Sequence, residues 1–382
     1  MAGLYIHVPF CVKRCIYCDF YSNTDMGYKD DYLRAVLKEM EIRRDYFKGE
    51  EIKSVYFGGG TPSQLNARDL ERLFDYMYNL FPFSSHPEIT MEANPDDLSD
   101  AYIASLRTLP FNRISIGIQS FNDKQLAFLN RRHTATDAVR SVFRCKEAGL
   151  DNISIDLMYG LPGQLAGDWL HDIEKAIELE VAHLSAYHLT YEEGTPIYRM
   201  SREGNVKPVD DETSESFFRM LKDRLEKEGF LHYEISNFAK CTPFYPDGRI
   251  SFHNASYWNG AYYMGIGPSA HSYDGDTRSW NVSSVSRYIE ALNERSELPA
   301  ESEQLDERTK YNDFVITRLR TRWGISLEEL EKTFGKERKR WFMAKSEPFL
   351  CSKRLKNEDG FVKIQSDGLF VSDAIMRELM YV

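Results

Sequence analysis

The chain has 382 residues, of which 42% are hydrophobic and 28% charged, and a formal net charge of −11. It is too long for one small core, and its composition is that of an ordinary folded protein with no apolar run able to span a bilayer. The acidic balance argues against a broad nucleic-acid surface, which Lys and Arg would have to supply.

The first residues, "MAGLYIHVPF", lack the basic patch, long apolar stretch and cleavage site of a secretion signal, so the expected location is the cytoplasm. Six strands are then expected in "LYIHV" (4–8), "KSVYF" (53–57), "EITME" (88–92), "RISIGIQ" (113–119), "NISIDLM" (152–158) and "HLSAYHLT" (183–190). Each is followed by helical periodicity; Leu70, Leu73, Phe74 and Met77, for example, fall on one helix face. Six strand–helix units in a row predict an α/β fold with a parallel sheet, a partial or complete β/α barrel. A polar, proline-containing stretch at 295–310 suits a boundary, and Tyr311, Phe314, Val315 and Leu319 form a helical stripe beyond it. "SLEE" (326–329) reads as a capping box in which Ser326 caps and Glu329 reaches back. "FVKIQSDGLFV" (361–371) reads as two strands turning at Asp367-Gly368, giving a small winged-helix-like domain. "KERKR" (336–340) is basic, but such a run is usually a solvated helix face, and no nucleic acid is expected as a partner.

Barrels of this kind place their chemistry at the C-terminal ends of the strands. Those ends carry Cys11, Cys15 and Cys18, then Gly58 to Pro62, Glu92, Gln119, Asp156, and Thr190 with Tyr191. The other cysteines, Cys145, Cys241 and Cys351, are scattered and read as packing residues in a reducing compartment. Three thiolates on a short loop suit zinc or an iron–sulfur cluster. A closed zinc site needs a fourth ligand, for which Asp19 and His7 are near in sequence. A 4Fe-4S cluster held by three cysteines instead keeps one iron free to chelate a small molecule.

The C-x3-C-x2-C spacing after a first strand, with "GGGTP" (58–62) after the second, resembles the radical S-adenosylmethionine (SAM) superfamily. "YIHVPFC", "CIYCDFYS", "VYFGGGTPS", "NRISIGIQSF", "LNRRH" and "IDLMYGLPGQ" narrow the resemblance to the HemN/HemW family, over essentially the whole chain. The resemblance implies a radical SAM partial (β/α)6 TIM-type barrel over 1–245, a connecting segment over 246–300, and a C-terminal helical, winged-helix-like domain over 301–382. It implies Cys11, Cys15 and Cys18 as 4Fe-4S ligands, and Tyr5, Gly59, Gly60, Thr61, Glu92, Gln119, Arg131 and Asp156 as SAM contacts. Arg132, beside Arg131, competes for the role of that arginine.

The coproporphyrinogen III dehydrogenases of the family extend the cysteine motif by one more cysteine and carry a longer segment before it. Here Phe20 occupies the extra position and Cys11 comes early, which points to the haem-chaperone branch. "HNASYW" (253–258) has the H-N-x-x-Y-W form of that branch. Its His253 is a candidate haem ligand and Tyr257 and Trp258 offer flat faces to a porphyrin, although a packed loop histidine is the plainer reading and eight other histidines compete. The branch implies haem as cargo, haem-accepting respiratory proteins as partners, a reductant for the cluster and room for a peripheral membrane association. The enzyme alternative is oxidative decarboxylation of coproporphyrinogen III by a 5′-deoxyadenosyl radical.

Overall fold

The computed structural model describes residues 2–381. The six expected strands are present: β1 (Ala2–Val8), β2 (Ile52–Gly59), β3 (Phe83–Ala93), β4 (Arg113–Gln119), β5 (Ile153–Tyr159) and β6 (His183–His188). They pair in parallel and in chain order, with helices crossing over between them. On their outer face Leu4, Ile6, Val55, Phe57, Ile116 and Ile155 are buried against those helices. On the inner face the alternate residues are polar or small: Tyr5 and His7, Ser54 and Tyr56, Ser115 and Gly117, Ser154 and Asp156. Strand pleating sends neighbouring residues to opposite faces, so one strand builds both the core and the wall of a polar interior.

The sheet runs further than six strands. β7 (Phe230–Glu234) and β8 (Asn237–Lys240) extend it antiparallel beyond β6. On the other side β9 (Tyr262–Ile266) lies parallel to β1, followed by β10 (His271–Tyr273), β11 (Thr277–Asn281) and β12 (Ala300–Gln304). The segment 246–300 is therefore more than a connection, since three of its stretches are strands of the main sheet. Its attachment is buried and polar. Glu39, on the helix Lys29–Ile42, accepts from Arg43 Nη1 (3.0 Å), Asn281 Nδ2 (2.8 Å), Gly267 N (2.9 Å) and Tyr288 Oη (2.6 Å).

Helices Glu307–Leu319, Leu327–Cys351 and Ser372–Leu379 build a separate small core around Tyr311, Val315, Phe342, Val362 and Ile375. Two local expectations change here. The hairpin is β14 (Leu355–Glu358) with β15 (Phe361–Ile364), turning at Asp359-Gly360, and β13 (Ile325–Ser326) completes the small sheet. Both turn residues have positive φ, 52° and 81°, as a tight two-residue hairpin turn requires. Asp367-Gly368 instead lies in the helical turn Ser366–Leu369. Ser326 does cap its helix, accepting from Glu329 N at 3.2 Å, but the Glu329 carboxylate accepts from Arg318 Nη2 at 2.8 Å, which leaves the capping box without that return bond. Of the basic run, Arg338 stacks on Tyr381 and Lys339 pairs with Glu331. Among the described residues no helix is long and apolar enough to cross a membrane.

Candidate functional site

The cysteine loop follows β1 and rests on a small apolar cluster in which Ile16, Tyr17 and Tyr191 pack on Leu129, Leu161 and Ile197. All three of its thiols are free and partly exposed. Burial raises the pKa of Cys11, and that of Cys18 to about 11, so binding a metal there would release protons. Two donors aim at these sulfurs: Thr61 Oγ1 donates to Cys11 Sγ (3.2 Å) and Arg131 Nη1 to Cys15 Sγ (3.3 Å). Among the described residues no group of three or more His, Cys, Asp or Glu is gathered tightly enough for a single ion. His7 is no fourth ligand, because its Nδ1 is hydrogen-bonded to Tyr5 Oη (3.2 Å) and its Nε2 to the Tyr21 carbonyl (2.9 Å).

The glycine loop is shaped by close approach. A Cβ on Gly59 would lie 2.6 Å from the His7 ring, and one on Gly60 would lie 2.8 Å from the Pro9 carbonyl carbon. Gly60 N donates to Val8 O at 2.8 Å. Gly59 therefore admits the His7 ring and Gly60 the backbone leading to Cys11, which brings Thr61 to its sulfur.

Inside the barrel rim Tyr56 Oη donates to Glu92 Oε1 at 2.8 Å. Burial pushes the Glu92 carboxyl up to about 7, against the opposing effects of Tyr56 and the Gly59 amide. Asp156 is pushed up to about 6 by burial, with Ser185 and Ser115 donating to it. Gln119 ends β4 with φ 72°, a strained value for a non-glycine residue. Gly117 leaves space that a Cβ would take, 3.1 Å from Gln119 Nε2 and 3.5 Å from Arg131 Nη2. Arg131 Nη2 donates to Asn94 Oδ1 (2.7 Å) and to the Gly117 carbonyl, while its buried Nε has no partner. Arg132 turns outward to Asp96 and Asp97. Of the expected SAM contacts, Thr61 and Arg131 touch the cysteine loop directly, Gly60 packs on the backbone before Cys11, and Tyr5, Glu92 and Asp156 lie on the inner face of the strands. Three soft thiolates, an unpartnered guanidinium nitrogen and buried carboxyls with raised pKa values fit a cluster and a polar ligand that carries both an ammonium and a carboxylate.

Sequence reading missed Tyr56, Asn94 and the buried Arg113, whose Nε and Nη1 have no partner and whose charge lowers the Glu92 and Asp156 pKa values. For Arg113 the signal was present in the strict alternation Arg113, Ser115, Gly117, Gln119 against Ile114, Ile116, Ile118.

His253 is placed differently from the expectation for a haem ligand. It sits on the helix Phe252–Trp258, 1% exposed, among the inward side chains of β1 and β2. Its Nδ1 is bonded to Ser54 Oγ (2.8 Å), its Nε2 to Tyr257 Oη (2.9 Å), and its ring stacks on Tyr56 at 5.0 Å. Burial lowers its pKa to about 3. Both ring nitrogens are engaged, so it anchors the helix rather than facing a ligand. Tyr257 and Trp258 of the same motif do face open space. They line a cleft of about 880 Å³ that extends from Tyr5, His7 and Phe20 to Phe314 and Phe334 of the C-terminal domain. That volume lies within the usual range for small-molecule sites, roughly 300–1,000 Å³.

Residues 5–176 match the family model of the radical SAM superfamily, and residues 305–374 match that of the HemN C-terminal domain. The chain is 33% identical to the protein named heme chaperone HemW of Mycobacterium tuberculosis, over 99% of this chain and 94% of that protein. It is 34% identical to heme chaperone HemW of Bacillus subtilis, over 88% of each. Among solved structures, coproporphyrinogen III oxidase (HemN) from Escherichia coli superposes with a TM-score of 0.84 at 22% identity, covering 99% of this chain and 90% of that one.

Proposed function

The chain belongs to the radical SAM HemN/HemW family, and on that premise we propose that it is a haem chaperone, taking haem into the cleft beside its cysteine loop and handing it to acceptor proteins. The observation that carries this reading is the cleft itself. It is broad and lined by flat aromatic faces from the cysteine loop (Phe20, 67% exposed), the "HNASYW" helix and the C-terminal domain. Such faces suit a planar macrocycle.

In this reading Cys11, Cys15 and Cys18 hold a 4Fe-4S cluster and SAM binds beside it; that pair, when present, supplies one-electron chemistry. The chain's own residues prepare the site. Thr61 and Arg131 donate to the sulfurs of Cys11 and Cys15 and so favour their thiolates. Glu92, its pKa raised by burial to about 7, would ionise fully beside a cationic ammonium, while Tyr56 fixes its orientation. Gln119, Arg131 and Asp156 are the proposed contacts for the ribose and carboxylate of SAM. Gly59 and Gly60 keep this floor pressed against the cysteine loop, and Tyr5 closes it below the cleft.

The test is an anaerobic titration of the reconstituted protein with ferric haem. The reading predicts a Soret shift that saturates at one equivalent; absorbance that only adds linearly, as for free haem, would overturn it.

A further inference from the structure

Both ring nitrogens of His253 are bonded to protein groups, so a haem in the cleft would need another axial partner. We propose that His271 is the axial ligand, an assignment that rests on the haem reading above. His271 opens β10 and is exposed, with its side chain on the cleft. Tyr273, two residues on, lines the same cleft, while Ser272 between them turns inward and donates to the Gly265 carbonyl. Across β11 the register sets His271 opposite Trp280, with ring centroids 6.1 Å apart. Neither ring nitrogen of His271 has a hydrogen-bond partner among the described residues, so a lone pair is free for iron.

The other histidines fail on position or on partners. His7 lines the cleft, but both its nitrogens are bonded. His183 is buried between Ser154 and Tyr233, and His133, His188 and His232 are held by Ile118, Ser214 and Ile235 away from the cleft. His86 and His171 are exposed elsewhere. Partial desolvation and the Arg278 guanidinium lower the His271 pKa, which favours the neutral imidazole that a metal ligand must be.

The same cleft offers charge for the propionates. Arg278 and Lys310 line it, paired at present with Asp313 and with Asp276 (2.5 Å), so that incoming carboxylates would exchange for protein ones.

The full-length protein and its His271→Ala variant are titrated with ferric haem and, separately, with iron-free protoporphyrin IX, which needs no axial ligand. Expected in the variant are a displaced Soret band and at least about tenfold weaker haem binding, with protoporphyrin IX binding unchanged. Wild-type Soret position and affinity in the variant would overturn the ligand assignment. So would an equal loss for the iron-free porphyrin, which would show that His271 only shapes the cleft. Failure of the wild-type protein to bind haem at all would instead bring down the haem reading on which the assignment stands.

Discussion

Glu92 and His253 are both polar groups inside the barrel, and removing each has a different consequence. Burial lifts the Glu92 pKa from 4.5 to about 7, so the folded protein holds a proton that the unfolded chain releases. The stability this group contributes is therefore full below pH 4.5 and is lost as pH rises through 7. Glu92→Gln should leave the melting temperature of the ligand-free protein nearly unchanged at pH 5 and raise it by about 2 °C at pH 8. An equal shift at both pH values in a thermal melt would show that burial does not hold the proton. His253→Ala, by contrast, strands the Ser54 and Tyr257 hydroxyls and empties a stacked site. It should cost about 2–4 kcal/mol in urea unfolding while leaving the Soret band of the haem complex in place. Loss of that band with stability intact would return His253 to the role of ligand.

Between elements, the contact that matters most is the one between the glycine loop and the backbone of Pro9 and Phe10. Gly60→Ala would drive a methyl group into main chain that cannot yield, separating Thr61 from Cys11. The expected result is a protein with native circular dichroism that, after anaerobic reconstitution, retains well under the roughly four iron and four sulfide per chain expected of the parent. Full loading in the variant would mean that the close approach is not needed for the cluster. The strands were legible in the sequence because β-branched residues recur at every second position on their core face, and the cysteine and glycine loops because they follow strands directly. The C-terminal hairpin was misplaced because Asp367-Gly368 and Asp359-Gly360 carry the same dipeptide. Only packing decides between them, and Gly368 is pressed against the Arg354 carbonyl inside a helical turn. The aim of His253 was not legible either. Which way a histidine on a short helix points depends on Gly3 and Ser54, some two hundred residues away, which leave room for its ring and bond it.

At the scale of the whole molecule, the segment 246–300 binds the barrel to the C-terminal domain and forms one wall of the cleft. Glu39 is the buried node of that attachment, and Glu39→Ala would leave the Arg43 guanidinium buried without its carboxylate. A loss of about 3–5 kcal/mol in global stability is expected, read by urea unfolding; a loss below about 1 kcal/mol would show that the segment is held by its strands alone. On the far wall, Arg318 Nη1 donates to the Trp258 carbonyl at 2.7 Å, fixing the C-terminal domain against the "HNASYW" helix. On the function proposed above, this cleft, lined by Phe20 and His271, holds finished haem and does not make porphyrin. The most direct test is anaerobic incubation of the reconstituted protein with SAM, a reductant and coproporphyrinogen III, followed by product analysis. A haem carrier should return the coproporphyrinogen unchanged; protoporphyrinogen accumulating over many turnovers would contradict that role.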